Sequence, residues 1–137
     1  MELNVINQIG LTPTDVLHVD GSYVEYDLEV SKIGVEILAK RLRKDVDAFI
    51  KEVKDAVKNK ITRKILAKLI YEQTGKPTIP YCDTCLYFLD NMIKGEGRDD
   101  FACRLKLNKK IIGIGAPVET YLPEVAEKFN TTVLIPH

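Results

Sequence analysis

The chain has 137 residues, 20 basic and 20 acidic side chains, and 45% hydrophobic content. That length and apolar share suit one domain with a real core, and a formal charge of zero argues against a broad nucleic-acid footprint. No stretch approaches the ~20 apolar residues of a membrane span, and Met1 to Gly10 lacks the basic-then-apolar order of a signal peptide. Three cysteines, an odd number, do not make a disulfide framework. The expectation is a cytoplasmic protein with no membrane and no nucleic-acid partner.

In chain order, Ile9 to Gly21 reads as turn-rich with no helical stripe. Thr12-Pro13 biases Thr12 to an extended backbone, and Asp20-Gly21 signals a turn. Asp27 to Arg43 is predicted to be helical, with Val30, Ile33, Ile37 and Leu38 as its core face and Gly34 beside them. Asp45 is placed to cap a second helix that runs to about Thr74. Its stripe is Val46, Phe49, Ile50, Val53, Val57, Ile61, Ile65, Leu66 and Leu69, and Gly75 and Pro77 end it. At ~30 residues it is long for a globular helix, so a kink or break is expected.

Tyr81 to Lys94 is predicted as a further helix with Leu86, Phe88, Leu89, Met92 and Ile93 on a broad apolar side. Phe101 to Leu107 alternates in part and suggests a strand. The last segment reads as strand, glycine turn, helix and strand: Lys110 to Ile114, then Gly115-Ala116-Pro117, then Glu119 to Phe129, then Thr131 to Ile135. A short apolar run bounded by turn residues suits a strand covered on both faces. Stopping at Pro136-His137, straight after a strand, predicts an incomplete domain.

Four groups of residues carry candidate chemistry. Gly113 and Gly115 end the strand, where backbone can approach a ligand, and the following helix start offers free N–H groups. The alternative is that the glycines merely let strand and helix pack closely. Thr12, Thr14, Asp15 and His18 form the densest polar cluster. Two hydroxyls and a carboxylate can orient water or a metal-bound phosphate, and Thr14 and Asp15 are the catalytic candidates. Equally, such side chains serve turns by bonding their own backbone. Cys82-Asp83-Thr84-Cys85 is a single Cys-x-x-Cys. With Cys103 and a histidine, His18 or His137, it is the only candidate for zinc or redox chemistry. One pair is too few for a structural zinc site, so no metal centre is expected and the thiols read as small core residues. Lys51, Lys54, Lys58, Lys60, Arg63, Lys64 and Lys68 line the long helix among Glu52 and Asp55, as solvated helix faces do.

Gly10-Leu11-Thr12-Pro13-Thr14-Asp15-Val16 and Ile112-Gly113-Ile114-Gly115-Ala116-Pro117 together resemble the hydantoinase/oxoprolinase family. The likeness is to the C-terminal part of its hydantoinase A-type chain and covers about Gly10 to His137. It implies an α/β fold: a ribonuclease H-like lobe of the actin-like ATPase fold, found also in sugar kinases and heat-shock chaperones. Residues 1–137 would form a single lobe, with a helical insertion over about 27–94 and a closing strand-helix-strand unit over about 101–137.

It also implies an ATP-dependent hydrolase of cyclic amides such as hydantoins or 5-oxoproline, with ATP and magnesium as cofactors and a missing lobe or partner subunit. Contact with the adenosine of ATP would fall on Gly113, Gly115, Ala116 and Pro117. Two features depart from the pattern. The superfamily's Asp-Gly-Gly-Thr phosphate strand is absent, since Asp20-Gly21-Ser22-Tyr23 continues differently. The family's helix after the His137 position is missing too. One lobe alone is expected to be inactive, and the rival expectation is a non-catalytic binding or assembly module with a related core.

Overall fold

The computed structural model describes residues 10–25, 27–76, 83–94 and 103–136. They form five helices, α1 (Pro13–Val19), α2 (Leu28–Arg41), α3 (Val46–Thr74), α4 (Asp83–Lys94) and α5 (Val118–Lys128), and two strands, β1 (Ile111–Ile112) and β2 (Val133–Leu134). The fold is therefore mostly helical, and its α/β character rests on a two-stranded parallel sheet. The chain divides into two compact units, Met1–Lys54 and Asp55–His137.

In the first unit, the segment read as turn-rich is a helix. Thr12 is an extended N-cap whose hydroxyl accepts from Asp15 N–H, while the Asp15 carboxylate accepts from Thr12 N–H at 2.8 Å. That reciprocal capping box, with Pro13 at the first helical position, satisfies the orphan donors that make a short helix costly. α2 begins with Asp27 as N-cap, accepting from Glu29 and Val30 N–H, and ends near Arg43 in a left-handed turn (φ 54°).

The core of this unit is Val16, Val35, Ala39, Phe49 and Ile50, with Leu11, Val19, Leu38, Val46 and Val53 packed around it. The expected core face of α2 is thereby corrected except at Leu38, which packs against the core as expected. Ser31, Val35 and Ala39 point inward, whereas Val30, Ile33 and Ile37 are 66%, 58% and 53% exposed. α2 has apolar residues on two sides, and the buried side is the one on which Gly34 lets Leu11 approach. A Cβ on Gly34 would stand 2.8 Å from Leu11 Cδ1.

α3 is one continuous helix, so of the expected kink or break the break does not occur. Asp45 caps it by accepting from Asp47 and Ala48 N–H, and Gly75 (φ 67°) ends it by donating to Tyr71 O. In the second unit, α4 buries Leu89 and Ile93 but leaves Phe88 exposed. The expected strand over Phe101 to Leu107 is not formed at Cys103 to Leu107, where Leu107 N–H donates to Phe129 O without a ladder; Phe101 lies outside the described residues.

The closing unit has the expected order with shorter strands. Ile111 pairs with Val133 and Ile112 with Leu134, and α5 is the crossover between them. α5 buries Tyr121, Leu122, Val125 and Ala126, and Phe129 follows as a buried anchor. Coverage of both sheet faces is overturned: Ile112, Ile114 and Leu134 are 64%, 83% and 47% exposed.

Candidate functional site

The turn between β1 and α5 is built by two glycines with different jobs. Gly113 is buried, and a Cβ there would meet Leu122 Cδ1 at 2.5 Å and Val118 Cβ at 3.3 Å. Its bare α-carbon lets α5 lie close on the strand, so packing accounts for it. Gly115 is exposed and has φ 95°, with nothing within 4 Å of where a Cβ would stand. Here glycine is required by backbone conformation, and the space beside it is open.

Ala116 is exposed, its bond to Pro117 is cis, and Pro117 is the N-cap of α5 without a side-chain cap. Val118 N–H donates weakly to Gly115 O at 3.4 Å, and Thr120 N–H to Pro117 O at 3.2 Å. Glu119 in the first turn puts a carboxylate where the helix dipole favours negative charge. An anion approaching this end of α5 would meet that charge as well as the helix dipole.

Thr14 and Asp15 lie on α1, in the first unit. Asp15 Oδ2 accepts from Thr12 N–H and from the Thr12 hydroxyl at 2.7 Å, and Oδ1 accepts from the Ser31 hydroxyl at 2.9 Å. The Thr12 hydroxyl, then the Thr12 N–H, hold the Asp15 carboxyl below the usual carboxylate range. Both oxygens serve architecture: one caps α1 and one ties α1 to α2. Thr14 contributes its carbonyl, which accepts from His18 Nδ1 at 2.6 Å. His18 is 2% exposed, accepts from Glu25 N–H through Nε2 at 3.3 Å and meets the Tyr23 ring edge-on. These partners fix the imidazole as a strut between α1 and the following turn. The box Thr12-x-x-Asp15 with Pro13 was the sequence signal for this helix.

Asp20, on the same turn, accepts from Lys54 Nζ at 2.5 Å and from Ser22 N–H at 2.9 Å. Burial pushes its carboxyl up, but these bonds and the Lys54 charge hold it below its ordinary value. Other members of the basic run of α3 are similarly engaged: Lys58 with Asp55 and Glu124, Arg63 with Asp90, and Lys68 with Glu72.

Cys85 on α4 and Cys103 are half-buried, and Cys82 and His137 lie outside the described residues. Among the described residues no three His, Cys, Asp or Glu side chains gather as a metal site, and no helix is long and apolar enough to cross a membrane. Compared with known proteins, the chain matches no family model, no curated protein and no solved structure.

Proposed function

We propose that this chain is the C-terminal lobe of an ATP-dependent hydrolase of cyclic amides, such as hydantoins or 5-oxoproline, within an actin-like ATPase fold. Its part is to hold the adenosine end of ATP on the turn Gly115-Ala116-Pro117, with Gly113 seating α5 behind it. The observation that carries this reading is the open space beside Gly115, held at φ 95° between a parallel strand and the uncapped start of α5. Ligands of parallel α/β units sit outside such strand ends, where only glycine lets backbone approach closely. A lactam is a stable amide, and bound ATP would supply the activation of the ring carbonyl that lets water open it.

Magnesium does not fit this chain alone. The carboxylates nearest to a catalytic role, such as Asp15, are spent on capping, and no cluster of metal ligands forms among the described residues. Phosphate and metal binding are therefore assigned to a partner lobe.

Isothermal titration of the protein containing both lobes with ATP, ADP and AMP tests the reading. Binding of all three, with adenosine as the shared determinant, supports it; a two-lobed protein that binds none of them at millimolar concentration overturns it. A second reading is favoured by the open face of Ile112, Ile114 and Leu134. An apolar face on a parallel sheet calls for cover, as in an assembly module. Light scattering that shows a stable dimer indifferent to nucleotide supports that alternative.

A further inference from the structure

From Leu105 to Gly113 the chain is held along one side. Leu105 O accepts from Asn130 Nδ2 at 2.6 Å, Leu107 N–H donates to Phe129 O at 2.9 Å, and Lys109 O accepts from the Thr131 hydroxyl at 2.8 Å. Ile111 N–H then donates to Thr132 O at 3.0 Å and Gly113 N–H to Leu134 O at 2.9 Å. Every second residue thus turns a backbone group toward residues 129–134. In an extended chain the residues between them face the other way, so Lys106, Asn108, Lys110 and Ile112 present N–H and C=O groups to the opposite edge. Among the described residues β1 has no strand neighbour but β2, which leaves that edge unpaired.

The same alternation sorts the side chains. Arg104, Lys106, Lys110, Ile112 and Ile114 are exposed, whereas Cys103, Leu105, Leu107 and Ile111 are half-buried and Gly113 is buried. Leu134 extends the exposed aliphatic end. The cations lie upstream and the aliphatics downstream, and residues 103–114 contain no acidic side chain. Among the described residues Arg104, Lys106, Lys109 and Lys110 form no ion pair.

We propose that this edge is a docking site for an acidic, extended segment of a partner protein, which adds as a strand outside β1. Its main chain bonds the outward groups of Lys106 to Ile112, its carboxylates meet Arg104, Lys106 and Lys110, and its apolar side chains cover Ile112 and Ile114. The proposal rests on the second reading above, that the exposed face calls for cover, and it names the cover. A peptide main chain offers both donors and acceptors to the edge, whereas a phosphate backbone offers acceptors alone. Residues 103–114 also hold no aromatic ring on which a base could stack. A second copy would bring the same cations and no carboxylate, and lysines on an edge keep like edges apart.

The test titrates the whole chain into fluorescein-labelled Glu-Thr-Glu-Thr-Val-Thr-Val, and into the reversed order because strands pair in either direction, with anisotropy as the readout. At least one probe should bind saturably. Lys106→Glu combined with Lys110→Glu should weaken it at least ~tenfold, and a probe with Lys for Glu should then prefer that variant to the native chain. A fully N-methylated probe keeps the charges, loses every main-chain donor and should not bind. Ile112→Pro should also abolish binding, since it removes an outward N–H and none that bonds β2. Should Ile112→Pro fail to fold, the N-methylated probe and the charge reversal decide. No saturable binding of either order, or equal binding of the N-methylated probe, overturns the proposal. So does an oligothymidylate that binds the same residues more tightly than the peptide, which would assign the edge to nucleic acid. A stable dimer that ignores both probes overturns it while keeping the assembly reading; no dimer and no probe binding overturns both.

Discussion

Gly113 and Leu122 occupy each other's space: a methyl group on Gly113 would stand 2.5 Å from Leu122 Cδ1, deep under α5. Leu122 is 9% exposed, so it has little room to turn away. Gly113→Ala should destabilise the protein by ~1–3 kcal/mol, the usual range for overpacking. Adding Leu122→Ala should recover part of that loss, giving a non-additive pair in chemical denaturation. Additive losses would place the strain elsewhere.

Gly115 makes the opposite prediction. No atom lies in the way of a side chain there, so Gly115→Val strains only the backbone at φ 95°, costing ~1–3 kcal/mol. Nucleotide binding by the protein containing both lobes should be lost, because the side chain fills the space proposed for the ligand. Melting temperature and nucleotide affinity of one purified variant check both parts. A folded variant with unchanged affinity removes the assignment of this turn.

On α2, Val35 and Ile33 separate the two apolar sides. Val35 is 0% exposed, and Val35→Ala should cost about 2 kcal/mol. Ile33 is 58% exposed, and Ile33→Ser should stay within ~0.5 kcal/mol. Urea titration of the two variants reads this directly; the reverse order would put Ile33 in the core.

Asp15 and Asp20 predict the acid response of the first unit. Both carboxyls are held below their ordinary value, so their folded pKa lies under the unfolded value of ~3.9. Their stabilisation is complete above that value and is lost as pH falls through the folded pKa. Unfolding free energy measured against pH should therefore fall steeply below about pH 4, and Asp15→Asn should flatten the slope. The same substitution should cost ~1 kcal/mol at neutral pH through the capping box. A variant with an unchanged slope would refute the role given to Asp15.

Helix positions were largely legible in the sequence because caps and stops are local: Asp45 and Gly75 each act where the sequence places them. The strand-turn-helix-strand order was legible for the same reason. What sequence could not decide is which of two apolar stripes faces inward. Val30, Ile33 and Ile37 are as good a stripe by period as Val35, Leu38 and Ala39; the small side chains of Ser31, Gly34 and Ala39, which admit α1 closely, settle the choice. α1 was readable from Thr12-Pro13-Thr14-Asp15, but seven residues leave no periodic signal. At the turn, the sequence showed two glycines, and only the backbone separates Gly113, which makes room for Leu122, from Gly115, which needs a positive φ.

Because β1 and β2 run parallel, no tight hairpin sets their alignment. The distance from Ile112 to Val133 is bridged by α5, which advances ~1.5 Å per residue. The helix is thus the gauge that places Val133 opposite Ile111. Removing one residue from Asn130 to Thr132 would slide β2 by one place and turn Val133 and Leu134 to opposite faces. Length variation in this crossover is therefore far more costly than substitution on its exposed side.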